Sequence, residues 1–325
     1  MPPEELHGNR KSAAAGPGRA DFAPTRSMQV KNGIDVIELI AVMAGAKPAM
    51  MVTVEKSFMP SLEAIAGNYG LHCLFEGQED RSSKGPIIPR NDVRLFMGTD
   101  LGELEKLRRD KAKGDNEGVG KSLGYPDCCV QSLLNCIANR NDKESYIREA
   151  AERSSSFPLY TNNIFNFSSR LQKRDETQYR ELFRKNKNAN FIRHLGNMMN
   201  MHLISHMPCS YDCKESCRMG RRVLRAVREA DGMMAYEIEK TLAHPVLFMG
   251  KFRFAVFDGA ADRRCITYRS VMPPNSLLER KLLRSIKEGD SIEVENGELR
   301  IYRENRHIGG VKEAADILPF GRPGA

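Results

Sequence analysis

Two short pieces of the chain concentrate the residues that could do chemistry. One reads GYPDCCVQSLL, from Gly124 to Leu134. The other reads HMPCSYDCKESC, from His206 to Cys217. Each sets a proline just ahead of a cysteine and then runs into helical spacing. Proline is favoured in the first turn of a helix, so Cys128, Cys129 and Cys209 are expected at or near helix N-termini. Unpaired N–H groups and the helix dipole favour thiolate over thiol there. Thiolate and imidazole are the usual protein ligands of zinc, iron and copper. Cys128 and Cys129 from the first piece, with His206, Cys209 and Cys213 from the second, therefore form a candidate metal set. In the expected division Cys128, Cys209 and Cys213 are ligands. Cys129 and His206 are alternates or supporting groups.

Ordinary packing competes with this reading. On a helical wheel, Val130, Leu133, Leu134 and Ile137 define the apolar face of CCVQSLLNCIANR. Cys129 and Cys136 fall on its edge, where buried cysteine behaves as a small hydrophobe. Cys128 falls among Gln131, Ser132 and Asn135, where packing explains a thiol poorly. Cys209, Cys213 and Cys217 recur every fourth residue, so a helix would put them on one face with Leu224 and Val227. His202 shares a face with His206 in either strand or helix. Cys73 and Cys265 sit in strand-like apolar runs and read as packing. The spacing fits neither paired CxxC motifs, nor the ferredoxin run, nor a haem attachment sequence. A shared site would draw its ligands from two pieces far apart in the chain.

LGYPDCC together with HMPCSYDC resembles a family of uncharacterised archaeal and bacterial proteins, a domain of unknown function with GYPxCC and PCSxxC motifs. The resemblance covers roughly 118–240. It implies that the two cysteine pieces belong to one unit, and it implies no reaction. Cys217 lies outside the family's pattern.

The residues before the first cysteine pair, GDNEGVGKS, look like a phosphate-binding loop. The pattern G-x-x-x-x-G-K-[ST] needs a glycine at 115. Asp115 stands there, and Gly114 is one residue early. A charged helical segment precedes it instead of a buried strand, and Pro126 follows closely. The expectation is a solvated glycine-rich loop that binds no nucleotide.

The elements that must position the cysteines follow from periodicity. Residues 1–27 are rich in Ala, Gly, Pro and Arg and read as a disordered tail. Asp35 is placed to cap a helix to about Ala46. Ala49 to Glu55, Leu71 to Glu76 and Val93 to Gly98 read as strands, with a helix opened by Pro60 and Ser61 between the first two. This gives a small α/β part over 28–100. Residues 101–245 are mostly helical and carry the Cys/His pieces. From 246 to 325 the alternation is strand-like, and Asn296-Gly297 marks a hairpin. The fold class expected is α+β.

Bulk properties narrow the function classes. The 325 residues suffice for a sizeable core, and 41% are hydrophobic. The net charge of +8 favours anionic partners. No secretion signal is visible, and the longest apolar run, VIELIAVMAGA, contains Glu38 and is too short to span a bilayer. A cytoplasmic protein with no membrane association is expected, its eight cysteines thiols or ligands rather than disulfides. NNIFNFSSRLQKR and RKNKNANFIRH mix basic and aromatic residues and allow weak nucleic-acid binding. The leading expectation is a metalloprotein with iron or an iron–sulfur cluster acting in a redox reaction of unknown substrate, an iron-dependent oxidoreductase. One alternative is a structural zinc or reduced-cysteine protein that binds nucleic acid. Another is a metal-free thiol enzyme with Cys128 or Cys209 as nucleophile.

Overall fold

A computed structural model of the chain describes residues 35–77, 92–139, 143–169, 201–250, 253–272 and 278–322. The tail over 1–27 and the basic stretch that includes Arg170, Lys173 and Arg174 lie outside them. Among the described residues the chain is mixed α+β, with a three-stranded and a seven-stranded sheet.

Helix α1 (Val36–Met43) starts where the Asp35 side chain accepts the Glu38 amide, and it stops at Met43, ahead of the expected Ala46. Strand β1 (Ala49–Glu55), helix α2 (Met59–Asn68), β2 (His72–Gly77) and β3 (Asp92–Gly98) follow. The sheet order is β1-β3-β2 with both pairings antiparallel, so β3 is inserted between two strands that run the same way. Alternation along β3 divides its faces. Val93, Leu95 and Met97 pack under α1 and α2. Phe96 packs with Leu104 and Leu107 of α3 (Leu101–Lys113).

The helical middle continues with α4 (Asn116–Ser122), α5 (Asp127–Ala138), α6 (Lys143–Glu152) and α7 (Ile164–Ser169). After the undescribed stretch come α8 (Lys214–Ala230) and α9 (Gly232–Leu242). The expected glycine-rich loop is a helix. Asp115 caps α4 by accepting the Gly118 amide at 2.9 Å, and Glu117 pairs with Lys121 one turn on. The helix spends on itself the amides that a phosphate-binding loop would present. Gly120 faces α5 so closely that a Cβ there would meet Val130 Cγ2 at 2.8 Å.

The buried arc of α5 also differs from the wheel. Cys129, Val130 and Cys136 are buried, whereas Ile137 is 49% exposed. Contact with α4 on one side and with the second cysteine piece on the other rotates the buried face toward the helix start. Residues 201–213 form neither helix nor strand, so Cys209 does not stand at a helix start, contrary to expectation, and Cys209, Cys213 and Cys217 do not share one helix face. Pro208 supplies no N–H and disfavours helix in the residue before it. Helix α8 begins after Cys213, its N-cap residue.

The C-terminal part is a meander. Strands β4 (Val246–Gly250), β5 (Arg253–Ala261), β6 (Cys265–Met272), β7 (Ser291–Glu295), β8 (Glu298–Arg303) and β9 (Arg306–Lys312) pair in sequence, all antiparallel. Strand β10 (Asp316–Leu318) returns to the β4 edge. Asn296 and Gly297 both have positive φ, 52° and 73°, as the two-residue hairpin between β7 and β8 requires. Helix α10 (Arg280–Glu288) covers the outer face with Leu282 and Ile286. The inner face, through Val246, Phe248, Phe254 and Val256, joins a core with α1, α8 and α9.

Candidate metal centre

The first motif bends the chain so that two adjacent thiols end up at a helix start. Gly124 takes a positive φ of 74°, ending α4, and lies so near Pro48 that a Cβ would meet its Cδ at 2.6 Å. Only glycine fits such a position easily. Tyr125 then turns inward, its ring 4.9 Å from the His206 ring and its hydroxyl 3.0 Å from Ser205 Oγ. Pro126 is the N-cap of α5, which places Cys128 and Cys129 in the first turn.

The second motif is held from below. Tyr211 is fully buried between Phe157 and Phe320, and its amide donates to Ser154 Oγ at 2.7 Å. Asp212 accepts from the amide and hydroxyl of Ser155 and from Ser210 Oγ. Those bonds hold its carboxyl below the ordinary range even though partial burial opposes them. Asn163 Nδ2 donates to the His206 carbonyl at 2.6 Å. These side-chain bonds hold a segment that has no helix or strand bonds of its own.

The two pieces bring four sulfurs together. Cys128, Cys129, Cys209 and Cys213 lie with all their Sγ atoms within 4.8 Å of one another, and the group could hold a metal ion. Cys128 to Cys129 is 3.9 Å, and Cys213 is 3.7 Å from each. A tetrahedral ion with metal–sulfur bonds of about 2.3 Å needs sulfurs about 3.8 Å apart. Cys128 is exposed, Cys209 partly so, and Cys129 and Cys213 are buried. All eight cysteines are free thiols.

Four thiols this close cannot all ionise without a cation among them. Hydrogen bonds from Cys129 and Cys209 hold Cys213 far below the usual thiol range, against burial. Its position at the start of α8 favours the same form. Cys129 is pushed up by its bonds to Cys209 and Cys213 and by burial. A bond from Cys129 would lower Cys209, but Cys213 and burial outweigh it and push it up to about 12. Cys128 is raised by desolvation and by Cys213. Without a cation these opposed pulls favour the thiolate at Cys213 and the thiol at its three neighbours. A divalent cation would reverse the balance, because a coordinating thiol loses its proton outright.

Behind the sulfurs stands a polar chain. The Cys209 amide donates to Cys129 Sγ at 3.3 Å. Ser216 Oγ lies 3.2 Å from the same sulfur and 2.8 Å from His206 Nε2. His206 is outside the four-sulfur group, with Nε2 engaged by Ser216 and Nδ1 buried without a partner. Burial, then Lys47, push it down to about 3, so its ring is neutral. When Cys129 is a thiolate, Ser216 donates to it and His206 Nε2–H donates to Ser216.

His202 takes another part. Its Nε2 is 3.2 Å from Asp35 Oδ2 and 3.8 Å from Glu38 Oε1. Glu38 also accepts from buried Lys47, whose Nζ donates to Ser205 Oγ at 2.9 Å. This network ties α1 to the segment that carries Cys209. Cys217, on α8, lies outside the group and donates to the Tyr211 carbonyl at 3.9 Å. Sequence reasoning missed Ser216 and Lys47. Ser216 lies one turn beyond Cys213, where a side chain shares its face. Nothing local marks Lys47.

The fold and site define a mixed α+β protein with a four-cysteine group that could bind a metal. Residues 101–243 match the family model described as "Protein of unknown function (DUF483)", as the two motifs implied. The matched span contains all four cysteines. No curated protein and no solved structure matches the chain.

Proposed function

We propose that the protein is a cytoplasmic metalloprotein that holds one metal ion on Cys128, Cys129, Cys209 and Cys213. The observation that carries the reading is the sulfur spacing, 3.7–3.9 Å over three pairs. That spacing suits one tetrahedral ion. A multi-iron cluster places sulfides and several irons between its thiolates and spreads them further. The cluster form of the iron hypothesis is therefore set below a mononuclear tetrathiolate site. Such a site takes zinc or iron. Zinc comes first, as a closed structural site that fastens the start of α5 to the start of α8. His206 supports the ligands through Ser216.

A second reading loads the same thiolates with a single iron and gives a one-electron redox centre. Exposure of Cys128 favours it, since an electron could enter there. The metal-free enzyme gains little: its proposed nucleophiles, Cys128 and Cys209, are both raised away from thiolate.

Metal analysis with a visible spectrum of anaerobically purified protein tests the proposal. One zinc per chain without visible absorption supports the first reading, and one iron with thiolate-to-iron absorption supports the second. Several irons with acid-labile sulfide, or no metal under any loading condition, would overturn the single-ion site.

A further inference from the structure

A cleft of about 1080 Å³ opens on the far side of the turn that carries Cys213. It lies between the first turns of α8, the end of α9, the β5 tail at Gly259–Ala261 and the C-terminal residues Pro319–Arg322. Five Lys or Arg side chains line it against two Asp.

The carboxylates are already engaged. Asp212 is held by Ser155 and Ser210, and Asp258 meets Arg269 at 3.3 Å. Of the cations, Arg218 is spent on Glu215 at 2.5 Å. Among the described residues, Lys214, Arg221, Lys240 and Arg322 form no ion pair. The Arg221 guanidinium carbon lies over the Tyr160 ring at 5.3 Å, a stacked placement that orients the planar fork. Asp212 is held by neutral donors and keeps its charge, but the four cations without an ion pair outnumber it and leave the depression net positive.

We propose that this cleft binds a phosphorylated small molecule, and that Lys214, Arg221, Lys240 and Arg322 recognise its phosphate oxygens. The volume slightly exceeds the range of about 300–1,000 Å³ usual for small-molecule sites. A single carboxylate would match one cation and leave three. Phosphate groups bring at least three acceptor oxygens each and suit the guanidinium fork. A nucleic-acid strand would call for a stripe of basic residues along an open surface, whereas these cations surround a concavity walled by Phe157, Pro158 and Phe320. The proposal stands apart from the metal reading, although the turn from Asp212 to Lys214 that carries Cys213 also borders the cleft.

Calorimetric titration of the full-length protein as purified tests it, with fructose 1,6-bisphosphate as probe at constant ionic strength. Citrate, fructose and a single-stranded RNA oligomer serve as comparisons. Binding in the sub-millimolar range is expected, with fructose silent and citrate weaker. K214Q/R221Q and K240Q/R322Q should each weaken it by about ten-fold or more, since each removes two charge-assisted bonds. K281Q/R284Q on α10 removes equal charge far from the cleft and should change nothing. Metal content is measured for every variant, so loss of metal and loss of binding are read separately. The K240Q/R322Q pair lies away from Cys213 and decides the matter if K214Q/R221Q disturbs the centre. Absence of binding, citrate or RNA binding as tightly, or equal weakening by the α10 pair would overturn the proposal.

Discussion

Cys129 and Cys136 lie two turns apart on α5 and are both buried, yet only Cys129 reaches the other three sulfurs. Replacing Cys129 or Cys213 by Ser should therefore remove most of the bound metal, and folding stability with it, because metal binding contributes directly to folding free energy. Cys136→Ser should keep a full equivalent and lose only modest stability. Metal analysis and thermal melts check both; full metal retention in Cys213→Ser would sink the four-ligand assignment. Ser216→Ala is subtler. It removes the hydroxyl between Cys129 and His206 and leaves Nε2 buried without a partner, at a cost of about 1–3 kcal/mol. Metal should stay bound while the thiolate charge-transfer band of a cobalt-loaded sample shifts. An unchanged spectrum would make Ser216 a packing residue only. At this scale the sequence exposed Cys128, Cys209 and Cys213, because each follows a proline or recurs at a regular spacing. It named Cys129 only as an alternate, since a helical wheel records the face of one helix and not what packs against it. Ser216 and Lys47 stayed hidden because their partners are distant in sequence.

Elements transmit order to the site through two contacts that propensity does not report. In the first, α4 presses on α5 through Gly120. Gly120→Ala places a methyl against Val130, which overpacking makes costly by about 1–3 kcal/mol. The displacement falls on the turn that holds Cys128 and Cys129, so metal affinity should drop with stability. Chelator competition measures it, and an unchanged affinity would uncouple α4 from the centre. The second contact is the buried network between α1 and His202. Burial alone would lower the His202 pKa, but Asp35 and Glu38 outweigh it and raise it to about 9. A proton held more tightly in the folded state stabilises fully below the unfolded value of about 6.5 and is lost as pH rises through about 9. The wild-type protein should lose on the order of 3 kcal/mol over that window. His202→Asn should be less stable at neutral pH and flatter across it, as urea midpoints would report; parallel curves would refute the assignment. The strands, the caps at Asp35 and Pro126, and the Asn296-Gly297 hairpin were readable because alternation and turn chemistry are local. The α4 helix was not, because glycines read as loop until Asp115 caps them and α5 packs on them. Cys209 does not start a helix as expected: proline is common in a first turn, but here Pro208 lies in the irregular segment and the helix waits until Lys214, with Cys213 as its N-cap.

At the scale of the molecule, the seven-stranded sheet divides the core into layers with different dependence on the cysteines. Its inner face, with Val246, Phe248, Phe254 and Val256, shares a core with Tyr211, Met219, Val223 and Cys136. Its outer face, with Leu247, Phe257, Ile266 and Ile292, packs under α10 and meets none of the four ligands. The sequence announced a β-rich end, but periodicity says nothing of which face meets which partner. Removing the metal frees the start of α5 from the start of α8. That loss falls first on residues 201–217, which have no helix or strand bonds of their own until α8 begins at Lys214. It passes next to the inner layer through Tyr211. Native-state hydrogen exchange under reducing conditions, with and without a strong chelator, should therefore show protection lost by stages. Amides of 201–217 and the first turn of α5 should lose the most, those of β4 and β5 less. Amides of β7, β8 and α10 should change little, because their hydrophobic layer is complete without the metal. Uniform loss across the sheet would mean that the ion supports the whole fold as one unit. No loss at 201–217 would mean that Tyr211 and the Asp212 turn hold the segment by themselves, and that the four thiols are brought together by packing without help from a metal.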